Sequence, residues 1–86
     1  MSIVRVQVRL YAGLRRYRPE LGHGEGTEIE LGPGSRLRDA LEALDIPEHE
    51  TKQCFVNGVV QDSDHVLEDG DEMGVFPPIA GGGDAA

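Results

Sequence analysis

The chain has no tryptophan, and only two phenylalanines and two tyrosines among its 86 residues. Aromatic bulk therefore cannot build the interior, and Leu, Ile and Val must fill it. A chain of this length has room for one domain and buries only about 60–65% of the surface its unfolded form exposes, so each large apolar residue matters. A single cysteine, Cys54, excludes an internal disulfide, and without a CxxC partner it makes a zinc site improbable. On a short strand it is expected to be a small buried hydrophobe. No apolar run approaches the roughly 20 residues of a membrane-spanning helix, and no signal-peptide pattern opens the chain. The expectation is a cytoplasmic protein with no membrane partner.

Positive charge is also scarce. The net charge is −8, which argues against nucleic acid as a partner. Residues 1–38 carry seven Arg and four Glu, whereas residues 39–86 carry twelve acidic residues and one lysine, Lys52. If the fold keeps these halves apart, an acidic surface is expected beside the C-terminal residues, suited to a basic partner.

What is present is clear alternation. Val4, Val6, Val8 and Leu10 alternate with Arg5, Gln7 and Arg9, the period of a half-buried strand. Tyr11 to Leu21 reads as a short helical or irregular excursion with Leu14 and Tyr17 on one face. After the glycine-rich turn 22–26, Thr27 to Leu31 alternates again, with Ile29 and Leu31 inward, and antiparallel pairing with the first strand is economical. Ser35 stands where an N-cap is expected, although Arg38 occupies the place of a capping-box acid. Leu37, Ala40, Leu41 and Leu44 then mark the apolar stripe of a helix that Pro47 stops. Residues 54–61 hold two short strands around Asn57-Gly58, a pair that favours a two-residue hairpin turn. In the acidic loop 62–70, Val66 and Leu67 are expected to tuck into the core. Residues 71–76 form the last strand. The order β-β-α-β-β-β implies an α+β layer, one main helix packed on one face of a mixed sheet, with the first and last strands at its centre.

No catalytic constellation emerges. His23, His49 and His65 are scattered, and Asp62-x-Asp64 fails as a calcium loop because Val66 and Leu67 occupy positions that need a ligand and a glycine. What remains is the end of the chain, residues 77–86, after the domain 1–76. Pro77 and Pro78 end strand pairing and form a stiff spacer. Ile79, Ala80, Gly81, Gly82 and Gly83 follow, with bare backbone that another surface can approach closely.

The strand order, Val56-Asn57-Gly58, Leu67-x-Asp69-Gly70-Asp71-Glu72 and Phe76-Pro77-Pro78-Ile79-Ala80-Gly81-Gly82 together resemble the MoaD/ThiS family of ubiquitin-like β-grasp sulfur carriers. Leu10-Tyr11-Ala12-Gly13-Leu14-Arg15 and Phe76-Pro77-Pro78 are most similar to the small subunit of molybdopterin synthase. The resemblance implies a carrier and not an enzyme. An adenylating enzyme of the MoeB/ThiF type would use ATP to activate the terminal glycine carboxylate, and sulfur would displace AMP to leave a thiocarboxylate. The large subunit of molybdopterin synthase, or another acceptor, would receive the sulfide. The chain itself would bind no cofactor or metal. Phe76, Pro77, Pro78, Ile79, Ala80 and Gly81 would contact partners. Gly83-Asp84-Ala85-Ala86 departs from the usual Gly-Gly end, so Gly82 or Gly83 would be the reacting residue only after a processing protease trims the chain. The alternatives are a ubiquitin-like modifier joined to lysines, of which this chain has only Lys52, and a β-grasp module that binds partners non-covalently.

Overall fold

The computed structural model describes residues 3–22 and 25–78. Five strands form one mixed sheet in the order β2-β1-β5-β3-β4, with β1 Val4–Leu10, β2 Gly26–Leu31, β3 Gln53–Val56, β4 Val59–Gln61 and β5 Glu72–Phe76. Only β1 and β5 pair in parallel, through Gln7↔Glu72 to Leu10↔Val75; the other neighbours are antiparallel. The first and last strands thus lie side by side within the sheet, and β5 is its central strand.

One face of the sheet is covered. Val4, Val6, Val8 and Leu10 of β1 meet Met73 and Val75 of β5, Cys54 and Val56 of β3, and the stripe Leu37, Ala40, Leu41 and Leu44 of helix α1, Leu37–Ala43. Leu14, Ile46 and Leu67 complete this core, while Tyr17, Ile29 and Leu31 pack at its margin. The alternation of β1 produces this one-sided burial directly, because successive side chains point to opposite faces. Asn57 and Gly58 take φ of 53° and 85°, the left-handed pair that matches strand twist in a two-residue hairpin.

Local details depart from expectation at three places. Ser35 does not cap α1. Its hydroxyl donates to the Gly32 carbonyl, and the helix starts one residue later, with the Arg36 N–H donating to the Asp39 carboxylate at 2.8 Å. An acid does therefore reach back to the cap, but Asp39 supplies it, where a Ser35 cap had pointed to Arg38. Nor does Pro47 set the helix end: α1 closes at Ala43, and Asp45 reverses the chain with φ of 62°. The pair Val66-Leu67 splits. Leu67 is buried, but Val66 is 44% exposed, because an isolated bridge to Arg36 holds the segment extended and its neighbours face opposite ways.

Candidate functional site

β5 delivers the chain to its C-terminal residues from the middle of the sheet. Phe76 is the last strand residue, and its carbonyl accepts from the Lys52 N–H at 2.7 Å. Pro77 and Pro78 offer no donor, so sheet pairing ends there. The Phe76 ring lies on the open face of the sheet, stacked on Tyr11 with centroids 4.3 Å apart and planes within 1°, and Phe55 meets it edge-on at 5.4 Å. Gly74 makes this possible: a Cβ there would come within 3.3 Å of the Tyr11 ring. Three of the chain's four aromatic residues thus fix the direction in which the chain leaves the domain.

Around this exit lies a groove of about 690 Å³, lined by Ala12, Leu14, Phe76, Pro77 and Pro78, with Arg16, His49, Glu50 and Lys52 among its polar lining. Its walls are two short 3₁₀ turns, Ala12–Tyr17 and Glu48–Glu50. Ala12 opens the first with φ of 53°, a strained value for alanine that turns the chain sharply off β1. Glu50 clips the walls together: its Oε1 accepts from the Tyr17 hydroxyl at 2.6 Å and pairs with Arg16. The hydrogen bond to Glu50 raises the Tyr17 pKa above its ordinary value.

The acidic surface expected beside the C-terminal residues is not seen in the described lining of this groove. Among the described residues the groove is lined by Arg16 and Lys52 and by one carboxylate, that of Glu50, with which Arg16 pairs. β1 and β5 run in parallel and β3 runs against them, which brings the end of β1 and the start of β3, with their flanking Arg16 and Lys52, to the exit of β5. The acidic run 68–72 lies at the opposite end of β5. There Asp71 is buried, accepting from the Asn57 amide and the Glu68 N–H at 2.8 Å each. Asp69 accepts from the Arg5 N–H at 2.9 Å, and Gly70, at φ 92°, donates to the Arg5 carbonyl. These carboxylates hold loops together.

Of the residues singled out in the sequence, Phe76, Pro77 and Pro78 meet at this groove, whereas Ile79, Ala80, Gly81, Gly82 and Gly83 lie outside the described residues. His49 lines the groove, His65 lies elsewhere, and His23 falls outside the described residues. Cys54 is buried, and desolvation pushes its thiol up to about 11. Among the described residues no three His, Cys, Asp or Glu side chains gather as metal ligands, and no helix is long and apolar enough to cross a membrane. Tyr11, Phe55, Gly74, Arg16 and Lys52 were not legible as site residues. Gly74 alone carried a signal, since glycine inside a strand marks a close approach.

The ThiS family model matches residues 8–82. The chain belongs to the ThiS family. A Pyrococcus furiosus protein provisionally named molybdopterin converting factor, subunit 1, is 32% identical, with a TM-score of 0.68 over 88% of this chain and 99% of that one. Small archaeal modifier protein 1 of Haloferax volcanii superposes with a TM-score of 0.71 at 18% identity, over 88% and 99% of the two chains. The ubiquitin of Caldiarchaeum subterraneum gives 0.59 at 13% identity, over 93% and 99%. The last two likenesses establish the β-grasp fold. No match was found among curated proteins. Proteins of the MoaD/ThiS type are small ubiquitin-like carriers, not catalysts, and work with adenylating enzymes and sulfur acceptors.

Proposed function

We propose that this chain carries sulfur on a C-terminal glycine for molybdopterin synthesis, after trimming to Gly82 or Gly83. The observation that carries the reading is the placement of the Gly-Gly segment in a ThiS-family chain. It follows a Pro-Pro spacer on the central strand, whose exit direction three aromatic rings fix. The family match ends at Gly82, which favours Gly82 over Gly83 as the reacting residue. The pathway assignment rests on the Pyrococcus furiosus relative, whose printed name is a molybdopterin converting factor.

The chemistry needs a partner at each step. A carboxylate is a poor electrophile, so one of its oxygens attacks the α-phosphorus of ATP bound by the adenylating enzyme, and pyrophosphate leaves. A sulfide-equivalent nucleophile then forms a C–S bond as the C–O bond to AMP breaks. This chain contributes a glycine carboxylate able to enter a narrow channel, at the end of a spacer stiff enough to aim it. Cytoplasmic partners supply ATP, sulfur and the acceptor, including the large subunit of molybdopterin synthase.

Incubation of a chain ending at Gly82 with a MoeB/ThiF-type enzyme, ATP and a sulfur donor should add about 16 Da, one oxygen exchanged for sulfur in the adenylated intermediate. The untrimmed chain should gain nothing. Four extra residues shift the carboxyl by roughly 13–14 Å, and about 1 Å of misplacement can cost a hundredfold in rate. Failure of chains ending at Gly82 and at Gly83 would overturn the reading. An adduct on a lysine of another protein would favour a modifier role, the activity named for the Haloferax volcanii relative.

A further inference from the structure

Asn57 is the only asparagine of the chain, and it stands with Gly58 in an exposed turn. An asparagine before glycine carries a built-in reaction, because the nitrogen of a residue without a Cβ is unshielded and can reach the side-chain amide carbon. The Gly58 backbone nitrogen attacks Cγ of Asn57 and gives up its proton, the Cγ–Nδ2 bond breaks, and ammonia leaves. Water then opens the cyclic imide at either carbonyl to give aspartate or isoaspartate. The space around Gly58 is open, and a Cβ built there would meet no atom within 4 Å. Neither crowding nor burial therefore protects the pair. Three hydrogen bonds to β5 hold Asn57 instead. Its N–H donates to the Glu72 carbonyl at 2.7 Å, its Oδ1 accepts from the Glu72 N–H at 3.0 Å, and its Nδ2 donates to the buried Asp71 carboxylate at 2.8 Å. Ring closure needs Cγ to swing onto the Gly58 nitrogen, which breaks both side-chain bonds.

We propose that Asn57 is a modification site gated by this clasp: ammonia loss proceeds only when the start of β5 lets the side chain go, and the product bars the clasp from re-forming. Aspartate puts a carboxylate oxygen in the place of the Nδ2 donor, 2.8 Å from Asp71 Oδ1, with no proton between two like charges. Isoaspartate adds one backbone atom to a two-residue turn whose strands pair from Val56↔Val59 to Cys54↔Gln61. Either product irreversibly marks a chain in which the start of β5 has opened. The reaction consumes only water and is independent of the transfer chemistry at the other end of the strand.

The test follows the Asn57 peptide of the full-length chain by peptide mapping at mildly alkaline pH, in the native state, in denaturing urea and in Asp71→Ala. The native chain should convert about tenfold or more slowly than the denatured chain, the factor expected of two net hydrogen bonds. Asp71→Ala, which removes the acceptor of Nδ2, should convert about fivefold or more faster than the native parent. The parent in just enough urea to match the variant's stability should stay slow, because its clasp is intact. Asn57→Asp, the product made directly, should melt about 5 °C or more below the parent. Equal rates for native and denatured chains would overturn the proposal, and that comparison decides even where Asp71→Ala fails to fold. A stability-matched parent that converts as fast as Asp71→Ala would overturn it too, by assigning the protection to global folding. So would an Asn57→Asp chain that melts with the parent.

Discussion

The two ends of β5 are built by different means. At its start, the acidic run 68–72 uses its carboxylates and backbone to tie the β3–β4 turn and β1 to the central strand, and Asp71 is buried in that network. At its end, stacked rings and two prolines fix a direction, and the polar side chains stand around an open groove. The first end spends its polar groups inward, on the fold. The second keeps Lys52 and His49 at its surface, beside the clip of Glu50 with Tyr17 and Arg16. Acidic composition therefore misleads as a guide to the binding surface: Asp69 and Asp71 do structural service at the far end, while the described lining of the exit groove carries Arg16 and Lys52 beside Glu50.

Substitutions should separate the two ends from the scaffold they share. The largest effect belongs to that scaffold. Leu41 lies in the core beneath the sheet, and Leu41→Ala should cost about 2–5 kcal/mol, a large part of the stability of a domain this small. An unchanged urea midpoint would contradict the packing. Next comes the start of β5: Asp71→Ala leaves the Asn57 amide and the Glu68 N–H without their acceptor, and should cost about 1–3 kcal/mol. Chemical denaturation reads this directly.

The exit should behave otherwise. A chain lacking residues 77–86 loses no core residue, so it should melt within about 8 °C of the full chain, equivalent to no more than about 1 kcal/mol. A larger drop would show that the exit also holds the fold. The smallest effect concerns pH. Burial raises the Cys54 thiol from 9.0 to about 11, so the unfolded chain ionises first as pH climbs. The contribution of Cys54 is complete below pH 9 and is lost as pH rises through about 11. Cys54→Ala should flatten that part of the alkaline stability profile, and a thiol reagent should leave the native chain unlabelled at pH 8.

The contrast between the ends also explains what the sequence allowed. Period-two and helical spacing placed Val4 to Leu10 and Leu37 to Leu44 correctly, because one-sided burial writes itself into local pattern. Asn57-Gly58 announced its turn for the same reason. The capping of α1 by Asp39 escaped because the start of the helix shifted by one residue. Val66 escaped because a bridge to a distant residue, Arg36, sets its facing. The groove escaped altogether: Arg16 and Lys52 meet there only through the parallel pairing of β1 with β5, a contact between the two ends of the chain that no short window contains. Pro77-Pro78 was legible as the end of the sheet because neither residue can donate to a ladder.

The central claim is that the exit of β5 serves transfer while its start serves the fold. Its most direct test is the initial rate of pyrophosphate release with the adenylating enzyme, for chains ending at Gly82 that carry either Pro77→Gly with Pro78→Gly or Asp71→Ala. Two glycines in place of the prolines return backbone freedom worth on the order of 1–2 kcal/mol per residue, enough to slow presentation of the carboxylate about tenfold or more. Asp71→Ala, assayed well below its melting temperature, should keep the rate within about twofold of the parent, a difference well under 1 kcal/mol. A chain whose rate ignores the loss of the prolines and falls with Asp71→Ala would contradict the account.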